Sequence, residues 1–251
     1  MGRTPLIAGN WKMNLNREQA RMLATAVASN PQPGIDIALF PPAIWLTDVA
    51  AAVAGSPVKL GAQNCWSAQK GAFTGELSPA MIAEIAPLVL IGHSERRLIL
   101  GESDELIRSK IDAALVAGLD VVLCVGETLE TRQAGHAESH VANQLHAALN
   151  GRPIAELDRI TIAYEPVWAI GTGVAATPAD AQHMSAAIRT ELSTIDAAYA
   201  DSVRILYGGS VNTANAAELL SQPDVDGGLV GGASLVAQDF LGIIAAASAG
   251  I

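Results

Sequence analysis

The chain is poor in the residues that mark several special classes of protein. Two cysteines in 251 residues, Cys65 and Cys124, are too few for a disulfide framework and stand at no metal-ligand spacing. They are expected to be small buried hydrophobes in a reducing compartment. Lysine and arginine total 15 against 25 acids, a formal charge of −10. That balance argues against a nucleic-acid partner, because phosphate-backbone binding draws on clustered cations. A small anionic ligand stays compatible with it, since salt screens distant charge over about 8 Å. No apolar run approaches the roughly 18 residues of a membrane span, and the opening MGRTPLIAGNWKMN has no stretch of signal-peptide length. No membrane partner and a cytoplasmic location are therefore expected. No low-complexity linker or charge run divides the chain, so residues 1–251 are expected to form a single domain.

What is present is a large hydrophobic fraction, 50% of residues, arranged in short apolar runs that alternate with segments of helical period. Strands are expected at Leu6 to Gly9, Ile35 to Phe40, Val58 to Ala62, Leu88 to Ile91, Val121 to Val125, Ile160 to Tyr164, Val203 to Tyr207 and Asp226 to Val230. Helical patterns lie between them. Glu105 to Ala117 gathers Leu106, Ile107, Ile111, Ala114 and Leu115 on one face, and Ala179 to Leu192 opens with Thr177 as cap and Pro178 at the first position. The Ala-rich stretch Ala245 to Ala249 reads as a small-residue helix. Eight apolar strands, each followed by a helix, describe an α/β fold of the closed parallel (β/α)8 TIM barrel type. An open doubly wound sheet would carry a nucleotide fingerprint after its first strand, and GNWKMN is not one. GTGVAA at 171–176 matches the glycine pattern of that fingerprint in the wrong context, because it does not join strand directly to helix.

Candidate chemistry sits at the expected strand ends, which a barrel brings to one face. Glu165 ends the sixth strand and precedes Pro166, which favours extended geometry before it. The glycine-bearing segment that follows, through Trp168 and Ile170, reads as a lid over a carboxylate base. Asn10 and Lys12 follow the first strand, and His93 and Glu95 the fourth. YGGSV and LVGGASL follow the seventh and eighth. Their glycine pairs would bring backbone amides to a ligand at helix starts, as phosphate sites require. The five histidines, at 93, 136, 140, 146 and 183, form no metal-site pattern, and His136 and His140 read as exposed helix residues. No metal and no cofactor are expected.

GNWKMN (9–14), GAFTGE (71–76), IGHSERR (91–97), CVGET (124–128), YEPVWAIGTG (164–173), YGGSV and GLVGGASL together resemble the triosephosphate isomerase family in order and spacing over nearly the whole chain. The resemblance implies a glycolytic and gluconeogenic isomerase of triose phosphates. In it Glu165 is the base, His93 a neutral electrophile, Lys12 the substrate-facing cation and Asn10 its polar neighbour. Gly171, Ser210, Gly231 and Gly232 would hold phosphate, and Glu95 would pair with Lys12. Ser94, Glu127, Trp168 and Tyr207 would support these groups. Phe73, Thr74 and Glu76 would enter a second subunit of a homodimer, with Glu76 meeting Arg96 there. This division of labour among base, neutral histidine and closing loop is the family's own general pattern.

Elementary chemistry agrees with these roles. A single carboxylate can take a proton beside a carbonyl and return it to the next carbon, while Lys12 would stabilise the oxyanion by about 4 kcal/mol at about 4 Å and an effective dielectric of about 20. A helix beginning at Ser94 and Glu95 would disfavour imidazolium at His93. Departures from the family pattern are few. Val174 stands where lysine is usual after the lid, which bears on lid kinetics, and Ala86 and Pro87 replace a common glycine cap, leaving the end of that helix open. Two rivals share the fold. Another phosphate-binding barrel isomerase or aldolase would want a Schiff-base lysine or metal ligands, and a catalytically dead phosphate-binding module would lack Glu165 or His93.

Overall fold

The computed structural model describes residues 3–170 and 176–248. Eight strands run β1 (Leu6–Asn10), β2 (Asp36–Phe40), β3 (Lys59–Ala62), β4 (Leu88–Ile91), β5 (Asp120–Val125), β6 (Ile160–Tyr164), β7 (Ile205–Tyr207) and β8 (Gly227–Val230). Each pairs in parallel with the next, and β8 closes on β1 through Leu6↔Gly227 and Ala8↔Leu229. The closed barrel replaces the open-sheet alternative. β4 and β6 match the expected runs, β1 and β5 are each one residue longer, and β2, β3, β7 and β8 begin one or two residues late; at β2 and β7 turns take the first residues. Ile35 donates its N–H to Gln32 O and Val203 to Tyr199 O, so neither joins the ladder.

Alternation along each strand divides the apolar residues into two layers. Leu6, Ala8, Phe40, Leu90, Val122 and Leu206 belong to the barrel interior. Ile7, Leu39, Val89, Leu123 and Ile162 belong to the larger layer between strands and helices. The interior is closely filled around Gly61, where a Cβ would stand 2.2 Å from the Phe40 ring. Glycine there lets a lower strand position accept the largest interior side chain.

Thr177 caps the helix Pro178–Ile195 with a reciprocal Asp180 capping box and Pro178 at its start, as the sequence pattern requires. That helix runs three residues past Leu192. The helix Asp104–Val116 buries Ile107, Ile111, Ala114 and Leu115, but Leu106 is only half-buried and the fully buried Lys110 shares the inner face. Its ammonium meets Glu102 and Asn64, which compensates for the loss of water. The helix Pro79–Ala83 ends in a turn, with Ile85 and Ala86 both donating to Ile82 O. Pro87 then gives its carbonyl to Asp120 N, so the chain passes from that turn into β4 with no glycine cap. Ala245 to Ser248 complete the helix Ala237–Ser248; Ala249 lies outside the described residues. No described helix is long and apolar enough to cross a membrane. Cys65 and Cys124 are both free and buried, and burial pushes the Cys65 thiol up to about 12.

Candidate active site

The carboxyl ends of the strands open on one cavity of about 420 Å³. Asn10, Lys12, His93, Glu165, Ser210, Gly231 and Gly232 all line it, so the structure brings together every expected catalytic and ligand-holding residue among those it describes. Gly171 lies outside the described residues, as do residues 172–175 of the lid and with them Val174 and most of the GTGVAA segment.

Glu165 leaves β6 with its N–H on Val125 O at 2.8 Å, and its side chain is 1% exposed as a residue. The carboxylate accepts from Ser94 N at 2.8 Å and Ser94 Oγ at 3.2 Å. Its Oε1 also stands 3.1 Å from His93 Nε2. Gly208 makes room for it, since a Cβ there would approach Glu165 Cγ to 3.0 Å.

His93 is the N-cap of the short helix Ser94–Leu98, and its Nδ1 accepts from Glu95 N at 3.3 Å. An accepting Nδ1 has a free lone pair, so this hydrogen-bond network assigns the neutral Nε2–H tautomer. Nε2–H then points at Glu165 and into the cavity. The amide that fixes the tautomer belongs to the first turn of the helix, where donors have no internal partner.

Lys12 adopts φ +50°, a left-handed conformation uncommon outside glycine and frequent at functional sites. Three contacts hold it there. Asn10 Oδ1 accepts from Lys12 N at 3.0 Å, Gln63 Nε2 donates to Lys12 O at 2.8 Å, and the ammonium pairs with Glu95 Oε1 at 2.7 Å. Asn10 Nδ2 has no partner among the described residues and is free to donate into the cavity. Gln63 was not foreseen from the sequence; its place just past β3 was the available signal.

At the far side of the cavity, the amides of Ser210, Gly232 and Ala233 have no protein acceptor among the described residues. A short 3-10 turn, Gly232–Leu235, follows β8 and is tied back by Ser234 N and Oγ on Gly231 O. The other glycine pair differs from expectation. Gly208 and Gly209 do not start a helix: Asn212 and Asn215 build a turn first, and the helix Ala216–Leu220 comes later. Their role is clearance, for a Cβ on Gly209 would stand 2.2 Å from Tyr207 Oη.

The segment that follows β6 is pinned from below. Glu127, fully buried, accepts from Tyr164 Oη at 3.0 Å and Trp168 Nε1 at 2.8 Å, and its carbonyl accepts from Val167 N. Burial, with the Glu127 carboxylate beside it, pushes the Tyr164 phenol far above its ordinary value, keeping it a donor. Trp168 is thus held to Glu127, and Ile170 lines the cavity. Arg132 stacks its guanidinium 4.6 Å from the centre of the Trp168 ring and pairs with Asp180 of the helix Pro178–Ile195. Tyr207 Oη is buried with no partner among the described residues.

The expected partner-facing loop is exposed. Phe73 is 43% exposed and leans on Trp66 with ring centres 5.4 Å apart, while Thr74 and Glu76 face solvent. Arg96 bonds Glu102 of its own chain at 2.6 Å. Beside the first cavity a second hollow, about 590 Å³, includes Lys12, His93, Glu95 and Arg96 together with Met13, Ile99 and Leu100. Of the remaining histidines, His136 is exposed but caps the helix Ala137–Leu149 rather than lying in it. His140 is half-buried and bonds Gln144 at 3.1 Å, in contrast to the exposed position expected of it.

The profile of the family described as triosephosphate isomerase matches residues 5–247. Among curated relatives, the triosephosphate isomerase of Rhodopirellula baltica is 48% identical across 98% of this chain and 99% of its own. Those of Pseudomonas putida strain W619 and Ectopseudomonas mendocina are 48% and 49% identical with the same coverage of both chains. With its closed eight-stranded barrel and near full-length similarity, the chain belongs to the triosephosphate isomerase family.

Proposed function

We propose that this protein interconverts dihydroxyacetone phosphate and D-glyceraldehyde 3-phosphate by proton transfer through an enediolate. The observation that carries the reading is the approach of His93 Nε2 to Glu165 at 3.1 Å beside the Lys12 ammonium, opposite unpaired backbone amides at one cavity. The enzyme is a standard example of a carboxylate base with a neutral histidine and a closing loop, so that assignment of roles follows the family pattern.

The geometry supports each step. Substrate phosphate would take the free amides of Ser210, Gly232 and Ala233, placing the triose carbons between Glu165 and His93. Glu165 removes a proton from the carbon beside the carbonyl and returns it to the neighbouring carbon. In this state its Oε2 accepts only from Ser94 N among the described residues, which leaves that oxygen a second lone pair for the substrate proton. His93 Nε2–H donates to the substrate oxygens and passes protons between them, while Lys12 and Asn10 Nδ2 meet the negative charge that develops there. A lid that excludes water protects the enediolate from losing phosphate.

The same reading makes the protein a homodimer. Its support is the exposed apolar rim of Met13, Ile99 and Leu100 around the hollow beside Lys12 and His93, into which a projecting Phe73–Thr74 loop of a second copy would fit. The decisive experiment is interconversion of the two triose phosphates by purified protein freed of metal with a chelator. Turnover supports the reading, and binding of phosphate analogues with no isomerisation refutes it.

A further inference from the structure

We infer that Gln144, on the outer helix Ala137–Leu149, is a positioning residue for the base at Glu165. The inference rests on the reading of Glu165 as that base. Its starting point is Gly126, where a Cβ would fall 1.8 Å from the Glu165 carbonyl oxygen and 2.7 Å from its carbonyl carbon. Gly126 thus lies directly against the main chain of Glu165, whose N–H is held by the preceding residue, Val125, at 2.8 Å. Residues 125 and 126 clasp the base by its backbone.

The orientation of that clasp is set from outside the barrel. Gly126 sits just past the end of β5, where its polar groups leave the ladder and need other partners. Gln144 supplies them: Oε1 accepts from Gly126 N at 2.8 Å, and Nε2 reaches Gly126 O at 3.4 Å. A single planar amide therefore contacts both polar groups of one residue and resists rotation of the peptides on either side. The remaining Nε2 hydrogen meets His140 Nε2 at 3.1 Å, and Gln144 is 6% exposed, so water has little access to compete. The next residue is Glu127, whose carboxylate and carbonyl hold Trp168 and Val167 at the start of the lid. Twisting Gly126 would misdirect both the base and the hinge, and displacement of a reacting group by about 1 Å can cost about 100-fold in rate.

Substituting Gln144 should consequently lower kcat and leave substrate binding alone, because neither Gln144 nor Gly126 lines the cavity that holds the amides of Ser210 and Gly232. Gln144→Met keeps length and volume without the polar atoms. Its kcat is expected to fall about 10-fold, with KM for glyceraldehyde 3-phosphate and the inhibition constant of inorganic phosphate within about 2-fold of the parent. Gln144→Glu keeps an acceptor for the shorter contact to Gly126 N and should lose less. An unchanged kcat in Gln144→Met overturns the inference. So does a matching change in KM and phosphate inhibition, or a larger loss in Gln144→Glu than in Gln144→Met. If Gln144→Met does not fold, Gln144→Glu decides alone: a fall in kcat of about 2-fold or more at constant KM supports the inference, and the parent value overturns it. An inactive parent protein would instead refute the isomerase reading.

Discussion

Glu165 and His93 share a contact in this state, and their separate roles predict different losses. Glu165→Gln keeps the shape but cannot accept a carbon-bound proton, so turnover should fall by the roughly 10² to 10⁴ associated with a general base. Near-normal turnover in steady-state assays would remove Glu165 from the chemistry. His93→Gln should slow the reaction severely while the affinity for inorganic phosphate, measured by inhibition, stays within about 2-fold, because the imidazole acts on the triose oxygens. A loss of phosphate affinity matching the loss of rate would make His93 a binding group. These residues were legible in the sequence because each follows a strand and lies beside glycine or proline, where side chains seldom serve packing alone. Gln63 and Gln144 were not. A glutamine beyond a strand or within a helix reads as a solvated polar residue, and only the approach of Lys12 O or Gly126 N from a distant element gives it work to do.

The eight strands and the capped helix Pro178–Ile195 could be located from periodicity and from Thr177–Pro178, because burial on both faces leaves an unbroken apolar signature. Contacts between helices left no such trace. Helix Ala137–Leu149 meets helix Pro178–Ile195 through two reciprocal pairs, His146 with Glu191 and His183 with Glu138. His146 faces the Asn150 side-chain oxygen through Nδ1 and Glu191 through Nε2, and these bonds, Asn150 first and Glu191 second, raise its pKa above the usual histidine value. The folded state therefore binds this proton more tightly than the unfolded chain. Its contribution to stability is fully present below the unfolded value of about 6.5 and is lost as pH rises through the higher folded value. The drop in melting temperature between pH 6 and pH 9 should thus be smaller in His146→Leu than in the parent. Equal drops would show that the pair does not couple folding to protonation.

At the scale of the whole molecule, one face remains unexplained by a single copy. Met13, Ile99 and Leu100 are 94%, 76% and 62% exposed and share a hollow with Lys12 and His93. Replacing both Phe73 and Thr74 with aspartate would put charges into a contact that should be dry, at a cost of several kcal/mol for each poorly compensated ion. Monomers with a large fall in turnover are expected, because Lys12 and His93 would lose an external brace. Sedimentation and activity on one sample would check this, and a fully active monomer would show that assembly is incidental. The barrel's closing seam has a further effect, on how the chain arrives at this shape. Leu6 meets Asp36 across about 30 residues but Gly227 across about 220, and Arg3 reaches Asp226 at 2.6 Å. Closing the longer loop costs about 1.7 kcal/mol more in chain entropy than closing the shorter one. The β1–β8 ladder is therefore expected to be the last pairing to form, and until it does both strands would present unpaired edges that another unfinished chain can take up. Refolding yield should be governed by this one seam, falling as protein concentration rises, even though the finished barrel has no edge at all.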